Sequence, residues 1–600
     1  MTNIERYAVI IVPSFVYLVF NTFFQNYKSL WKYAEIEEFL FCMIVSLTAG
    51  FIYAVTYHFI SGRVSLYLNI IASLASALLL MFYRASYNII SRYNTFLNTK
   101  SKKRLLIVGA GSAASSLLSE LRKNPENGYF PVCAVDDNPE KIGRYIHGIK
   151  IRGAIEDIPH LCREHKIDTI FICIPSATPE QRRRIFNYCL ETSAVIKILP
   201  EIYSAITNPT QLQKKMRNIR IEDMLGRHER QFDRENIDDF IKGKVVLITG
   251  GGGSIGSELC RQIAVSGPRK LIIVDIFENS AYNLQMELKT DFKNLDVVVE
   301  IANIREAEKM DELFEYYRPD IVFHAAAHKH VPLMEHNPEE AIKNNVFGTL
   351  NVVNAAQKYK VSHFVLISSD KAVNPTNIMG ATKRFAEMIV QSKVQNKDTH
   401  FVAVRFGNVL GSAGSVVPLF ERQIELGGPV TITHPEITRF FMTIQEAVQL
   451  VLQAVVMAKN GEIFVLDMGE PIRIKDLAET MIRLSGLRPY KDIDIVYTGL
   501  RPGEKLYEEL LMNDEGLVST ANSRIFIGKQ APVTEEEINY KCKLLLNALK
   551  KKDKANLMRV MQHVVPTYKP DLPKQVLEYS KQPLNAKERN VVATVEKIYS

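Results

Sequence analysis

The sequence predicts an α/β protein in which N-terminal transmembrane helices precede two doubly wound parallel-sheet domains of the nucleotide-binding type. Three observations predict it. Three apolar runs precede Arg84, a glycine-rich turn follows a short apolar strand at Gly109, and a longer glycine-rich turn follows a second apolar strand at Gly250. The alternation of apolar strands with helical patterns behind each turn is the signature of a parallel sheet covered on both faces.

Composition narrows the classes. The chain has 600 residues, 47% of them hydrophobic, enough for several buried cores, and a net charge of only +8. Its basic residues are scattered rather than gathered in a stripe, which argues against a nucleic-acid partner. The seven cysteines, Cys42, Cys133, Cys162, Cys173, Cys189, Cys260 and Cys542, form no C-x-x-C pair and no Cys/His array. They read as reduced thiols in a cytosolic compartment, with no metal site.

The apolar runs are Tyr7–Phe24, Phe39–Ile60 and Val64–Tyr83. Each approaches the roughly 20 residues that cross a bilayer as a helix, so residues 1–98 are expected to form a multi-pass anchor. Arg84, Arg92, Lys100, Lys102, Lys103 and Arg104 follow the third run, and Lys28 and Lys32 lie between the first two. The positive-inside rule then places everything after residue 100 in the cytoplasm and the N-terminus outside.

Lys103–Val108 runs into Gly109-Ala110-Gly111-Ser112-Ala113-Ala114, a G-x-G-x-x-A turn opening a βαβ unit, with later strands at Val132–Val135 and Thr169–Ile174. No acid, base or nucleophile cluster follows this turn. Residues 99–200 are therefore read as a Rossmann-like domain with no assigned ligand, and 201–240 as a charged connector.

The second turn is stronger. Strand Lys244–Ile248 leads into Gly250, Gly253 and Gly256, spaced G-x-x-G-x-x-G, and a helix opens at Ser254-Ile255. Glycine lets the backbone turn tightly and approach a pyrophosphate, and a helix start aims free N–H groups at it. The next strand, Leu271–Val274, ends at Asp275, which suits the ribose hydroxyls of NAD and repels the extra phosphate of NADP. Asn303-Ile304 and Ala325-Ala326, at the ends of later strands, should lie along the same dinucleotide. The segment Ser368-Ser369-Asp370-Lys371 with Met379 and Lys383 follows the strand Val365–Ser368. The catalytic domain is placed at 241–530 and a helical, then extended, tail at 531–600.

Together Gly250–Gly256, Asp275, His324–His328, Asp370-Lys371 and Lys383 resemble the extended short-chain dehydrogenase/reductase superfamily. With the apolar N-terminus, the chain resembles the membrane-anchored bacterial UDP-N-acetylglucosamine 4,6-dehydratases of polysaccharide biosynthesis. The most specific marks are Ala325–Glu335, Ser368–Lys383, Arg405–Pro418, Thr438–Thr443 and Arg501–Glu504. The resemblance implies a small substrate-binding subdomain, a bound NAD, UDP-N-acetylglucosamine as substrate, a bacterial inner-membrane location and a homo-oligomer, dimeric or larger. Three features depart from it. Asn303 stands where relatives often have aspartate, three apolar runs replace the common four, and Met379 stands where relatives have tyrosine.

The implied chemistry oxidises C4 of the hexose, eliminates water across C5–C6 and returns the hydride to C6. Asp370 is then the acid for the C6 oxygen and Lys371 the base at C5, its ammonium weakened by burial and by the nearby charge of Lys383. Lys383 should also hydrogen-bond the nicotinamide ribose. A thioether has no proton to exchange, so Asp370, Ser369 or a water relay to Lys383 should take the C4 hydroxyl proton. The methionine favours retention at C5. Arg501 should grip the diphosphate, Glu504 the uridine ribose, and Lys329, His330, Asn408 and Arg439 the sugar or diphosphate. A 4-epimerase on the same scaffold and a non-catalytic membrane scaffold are the rival readings. The first would not need Asp370-Lys371, and the second would not need any of the three charged residues.

Overall fold

A computed structural model describes residues 36–61, 102–123, 128–199, 216–218, 234–510, 516–528 and 532–570, together with isolated positions between 15 and 24, between 71 and 86, and at 223. The chain divides into two compact units, 1–175 with 197–217, and 176–196 with 218–600.

The expected membrane anchor is overturned. Among the described residues no helix is long and apolar enough to cross a membrane. The second apolar run does form a helix, Ile36–Ser61. An apolar run makes a span only as an unbroken apolar helix of about 20 residues. This one opens on Glu37-Glu38, carries Ser46 and Thr48 in its middle, and buries Val45, Ala49, Tyr53 and Ala54. The first and third runs fall largely outside the described residues.

In the first unit, Lys103–Val108 pairs in parallel with Tyr129–Val135 on one side and Thr169–Ile172 on the other. Leu105, Ile107 and Phe171 meet Leu117 and Leu118 of the helix Ser112–Lys123 in one buried cluster. Gly109 adopts φ +93° where the strand turns into the helix, and a side chain there would strike Ile174. Asp136, at the end of the next strand, accepts from the Ala110 N–H at 2.7 Å and from Lys141 at 2.9 Å.

The second unit is built on a nine-stranded sheet. Its strands are β1 (Val245–Thr249), β2 (Lys270–Asp275), β3 (Val297–Ile301), β4 (Ile321–His324), β5 (His363–Ile367), β6 (His400–Arg405), β7 (Ile463–Leu466), β8 (Leu517–Ser519) and β9 (Ile525–Gly528). The order across the sheet is β3-β2-β1-β4-β5-β6-β7-β9-β8. The first seven run parallel, and β9 and β8 join antiparallel at the edge. This is the doubly wound arrangement, with a switch point between β1 and β4. Valine, isoleucine and leucine fill β1 and β2 without polar alternation because both faces are covered.

Helix α1 (Ser254–Val265) follows β1. Helix α2 (Ile378–Ser392) is buried along its whole length, and a helix enclosed on every side is expected to carry apolar residues all round. Lys383, Arg384 and Glu387 break that pattern, and each proves to have a partner. Asn377 caps α2 by accepting from the Gly380 N–H at 2.8 Å. A smaller lobe with its own core of Phe420, Val430, Ile432, Ile474 and Ile482 is stitched by the short strand pairs Val430–Ile432 with Ile495–Tyr497 and Thr438–Arg439 with Ile472–Arg473.

The C-terminal helices α3 (Glu535–Lys550) and α4 (Lys554–Val564) place Ile538, Leu545, Leu557 and Met561 in the same core as Phe385 and Ile389 of α2. The Lys569 N–H then donates to the Pro375 carbonyl at 2.9 Å. Residues 532–570 are thus a brace behind the helix that carries Lys383. Leu545→Ala should destabilise the second unit by about 2–5 kcal/mol, read as a lower denaturant midpoint in equilibrium unfolding.

Candidate active site

The turn after β1 has the shape of a pyrophosphate cradle. Gly250 has φ +68°, and a Cβ there would lie 2.7 Å from the Ala326 backbone. A Cβ on Gly256 would strike the Gly250 carbonyl. Both positions therefore require glycine for close backbone approach. Gly253 is the N-cap of α1, and Ser254 and Ile255 form its first turn, with the Ser254 hydroxyl accepting from the Ala413 N–H at 3.1 Å. Asp275 is 8% exposed at the end of β2. It accepts from the Gly252 N–H at 2.7 Å and the Phe277 N–H at 2.9 Å, so the acid is tied to the glycine turn itself. Ala325 and Ala326 are half-buried against that turn. Asn303 accepts from the Arg305 N–H at 3.1 Å, and Ile304 is buried beside Gly348.

The sheet delivers the next group at the end of β5. Ser368 donates to Glu387 at 2.6 Å. Ser369 caps a short helical turn, and its hydroxyl donates to Asp370 Oδ1 at 2.8 Å. Lys371 Nζ lies 3.0 Å from the same Oδ1 and 3.1 Å from Asn408 Oδ1. Asp370 is fully buried, and its Oδ2 has no hydrogen-bond partner among the described residues. Met379 is 2% exposed and sits in the apolar cluster with Ile378 and Phe385, so its thioether packs. Lys383 Nζ donates to the Ile367 carbonyl at 2.8 Å. Burial lowers its ammonium to about 8, against a smaller opposing pull from Glu387.

The charge state of Lys371 differs from the sequence-based expectation. Burial is the largest influence and lowers it. The carboxylates of Asp370 and Glu508 together outweigh burial and the repulsion of Arg439, so the ammonium is held above its ordinary range. The cationic neighbours are Arg439 and Lys329 rather than Lys383. Resting Lys371 is therefore a cation ion-paired to Asp370.

The residues expected to hold the substrate are engaged with one another. Glu504 accepts from the Arg501 Nε at 3.2 Å and lies 3.4 Å from Arg439. Burial would raise its carboxyl, but Arg501 and Arg439 hold it below the usual carboxylate range. Arg439 also donates to the carbonyls of Thr438 at 2.7 Å and Lys505 at 2.8 Å, which fixes the 501–509 segment. Lys329 and His330 are exposed at the end of the β4 loop. Surrounding protein and the charge of Lys371 lower the Lys329 ammonium.

Four features escaped the sequence reading. Glu508 lies 3.7 Å from Lys371 and 3.6 Å from Arg439. Glu387 pairs with Arg405 through two contacts of 2.7 Å, and both side chains are fully buried. Arg384 adds a third contact to Glu387 at 3.0 Å. His324 is buried between Thr249 at 2.6 Å and Thr349 at 2.9 Å. Burial, then Lys383, push it down to about 3, so it is a neutral spacer behind the site. Finally, Asn345, in a π-helical turn, bridges the His328 backbone to Thr382 of α2. A buried glutamate one helical turn beyond Lys383 was the available sequence signal for the first pair; Glu508 gave none.

Residues 246–530 match the family described as polysaccharide biosynthesis protein, and residues 25–200 match a CoA-binding domain family. Over 541 residues the chain is 42% identical to the capsular polysaccharide biosynthesis protein CapD of Staphylococcus aureus, covering 89% of each. The chain belongs to this polysaccharide biosynthesis family. It is also 44% identical over 514 residues to the probable polysaccharide biosynthesis protein EpsC of Bacillus subtilis, covering 84% of each. The crystal structure of Pen from Bacillus thuringiensis is 38% identical, covers 49% of this chain and 92% of that one, and has a TM-score of 0.45. The polysaccharide biosynthesis protein carries the extended short-chain dehydrogenase/reductase fold expected of it.

Burial would raise the Glu387 carboxyl, yet Arg405 and Arg384 hold it below its ordinary 4.5. Its contribution to stability is therefore full above that value and is lost as pH falls through the lower folded value. Glu387→Ala leaves two guanidinium groups without this partner and should cost about 3–5 kcal/mol. The loss should be largest near neutral pH and shrink in acid, as read from urea midpoints at several pH values.

Proposed function

We propose that the protein is a nucleotide-sugar 4,6-dehydratase that acts on UDP-N-acetylglucosamine with NAD as a retained cofactor. One observation carries the reading: a fully buried aspartate and a half-buried lysine share a 3.0 Å hydrogen bond at the carboxyl end of β5. Ligands of doubly wound sheets bind at these strand ends. The family and the glycine cradle support a dinucleotide there, held by Gly250, Gly253, Gly256 and Asp275. When bound, NAD would supply the chemistry of accepting a hydride from C4 and returning it to C6.

The chain's own residues handle the protons. Moving one proton from Lys371 Nζ to Asp370 Oδ1 turns the resting ion pair into an amine and a carboxylic acid. The pair gains and loses nothing, yet now holds a base and an acid side by side. Lys371 removes the C5 proton made acidic by the 4-ketone, and Asp370 gives its proton to the departing C6 oxygen. Lys371 then gives a proton back to C5. The proton released from the C4 hydroxyl passes by way of Ser369 or Lys383 to restore Asp370. Ser369 is hydrogen-bonded to Asp370, and Lys383, lowered to about 8, can both take and release a proton near neutrality.

Incubation with UDP-N-acetylglucosamine should yield a 4-keto-6-deoxy product with solvent deuterium at C5. A 4-epimer, or no product, overturns the reading. Asp370→Asn and Lys371→Met should each lower kcat by about 10²–10⁴-fold. Lys383→Met should abolish turnover without lowering stability at neutral pH, because a buried ammonium is costly there. Lys383 titrates near 8 in the folded protein against 10.5 ordinarily. The unfolded chain thus binds more protons in that window, and wild type should gain stability over Lys383→Met as pH rises through it. Paired thermal melts at several pH values read this directly.

A further inference from the structure

The acid–base pair has a third member that the proposed mechanism does not use. Glu508 lies on the segment after Arg501–Glu504. Its side chain is 5% exposed, and its Oε1 stands 3.7 Å from Lys371 Nζ and 3.6 Å from Arg439 Nε. Its Oε2 is buried with no hydrogen-bond partner among the described residues. A carboxylate withdrawn from water with one oxygen unpartnered is costly to keep. Arg439 cannot be the whole reason for keeping it, since Glu504 and three backbone carbonyls already engage that guanidinium.

We propose that Glu508 is a positioning residue that decides where the proton shared by Asp370 and Lys371 rests, and thereby sets the upper pH limit of the working pair. This rests on the assignment of Asp370 and Lys371 as acid and base.

The charges facing Lys371 are Asp370 from its own turn, Glu508 and Arg439 from the smaller lobe, and Lys329 from the loop after β4. The two carboxylates favour the ammonium, and the two cations oppose it. Asp370 is itself the proton's other seat, so of the two carboxylates only Glu508 biases the choice from outside the pair. With Glu508 ionised the proton sits on Lys371, and the pair loses it only at higher pH. With that charge removed, the proton leaves Lys371 more readily in both directions, toward Asp370 and toward solvent. The predicted signature is a shift of the alkaline limb of the pH–rate profile to lower pH, a change that a packing role alone would not produce.

The test compares wild type, Glu508→Gln and Glu508→Asp as full-length chains. In kcat/KM for UDP-N-acetylglucosamine, Glu508→Gln should move the alkaline limb to lower pH, and Glu508→Asp should restore it toward wild type. The plateau should fall by no more than about tenfold, short of the roughly 10²–10⁴-fold loss that follows removal of a proton-transfer group itself. An unmoved limb overturns the proposal. A second measurement does not depend on activity. NMR titration of isotope-labelled lysine side chains, with Lys371 assigned by its absence from Lys371→Met, should show a lower midpoint in Glu508→Gln. An unchanged midpoint overturns the proposal whatever the substrate proves to be. If wild type makes no 4-keto sugar, the functional reading falls while the titration still decides on Glu508. Should Glu508→Gln fail to fold, Glu508→Leu, which fills a similar volume without a charge, serves in the same titration. It should lower the Lys371 midpoint, and no fall overturns the proposal.

Discussion

The buried pair of Glu387 and Arg405 is the constraint on which the active-site geometry depends. Glu387 belongs to α2, which also carries Lys383 one turn earlier. Arg405 ends β6, three residues before Asn408, and Ser368 at the end of β5 donates to the same carboxylate. Three separate stretches of chain therefore meet on one side chain. Well-packed apolar residues could give comparable stability at such a place, because desolvating two charges offsets much of their attraction. They could not give direction. A bidentate guanidinium–carboxylate contact has a fixed plane and register, and it holds α2 against two strand ends at the point where Lys371 must reach both Asp370 and Asn408.

Above that anchor, charges are arranged in alternation. Asp370, Lys371, Glu508, Arg439, Glu504 and Arg501 form a chain in which each charge neighbours its opposite. The chain runs from the end of the sheet into the smaller lobe. It links the Asp370–Lys371 pair to Glu504 and Arg501. It also explains why Lys371 rests as a cation although burial pulls its ammonium down: two carboxylates within 4 Å outweigh the loss of water. The base proposed for Lys371 must first give up its proton, and Asp370 Oδ1 is hydrogen-bonded to it.

What was legible in the sequence was what is local. The glycine spacing, the acid at the end of β2 and the Asp370-Lys371 pair each sit within a few residues of the strand that positions them. The parallel strands announced themselves by apolar runs with no polar alternation. Glu508 and Arg405 were not legible as partners because contact across a fold leaves no mark in spacing. Glu387 lies in α2 among apolar residues, where a charge is a signal that a partner exists but not which one. Arg501 and Glu504 stood out as a motif, but nothing in it said that they pair with each other at 3.1 Å. The membrane anchor failed for a different reason. Hydropathy averages the composition of a run, whereas a span needs a helix both long and apolar enough, and the described residues contain none.

Met379 shows how far the rest of the site compensates for one residue. A hydroxyl at that position would have offered a proton acceptor one turn before Lys383. The thioether offers none and is enclosed by the core instead. In the proposed mechanism the burden then shifts to groups that can exchange protons and are already held in place. Ser369 is fixed by its bond to Asp370, and Lys383 is brought near neutrality by burial. Its ammonium is directed at the Ile367 carbonyl, on the strand whose end carries Ser369 and Asp370. Lys383 stays buried at the cost of desolvation, which suits the proton relay proposed for it, and α2, braced by α3 and α4 and locked by Glu387, is what holds it there.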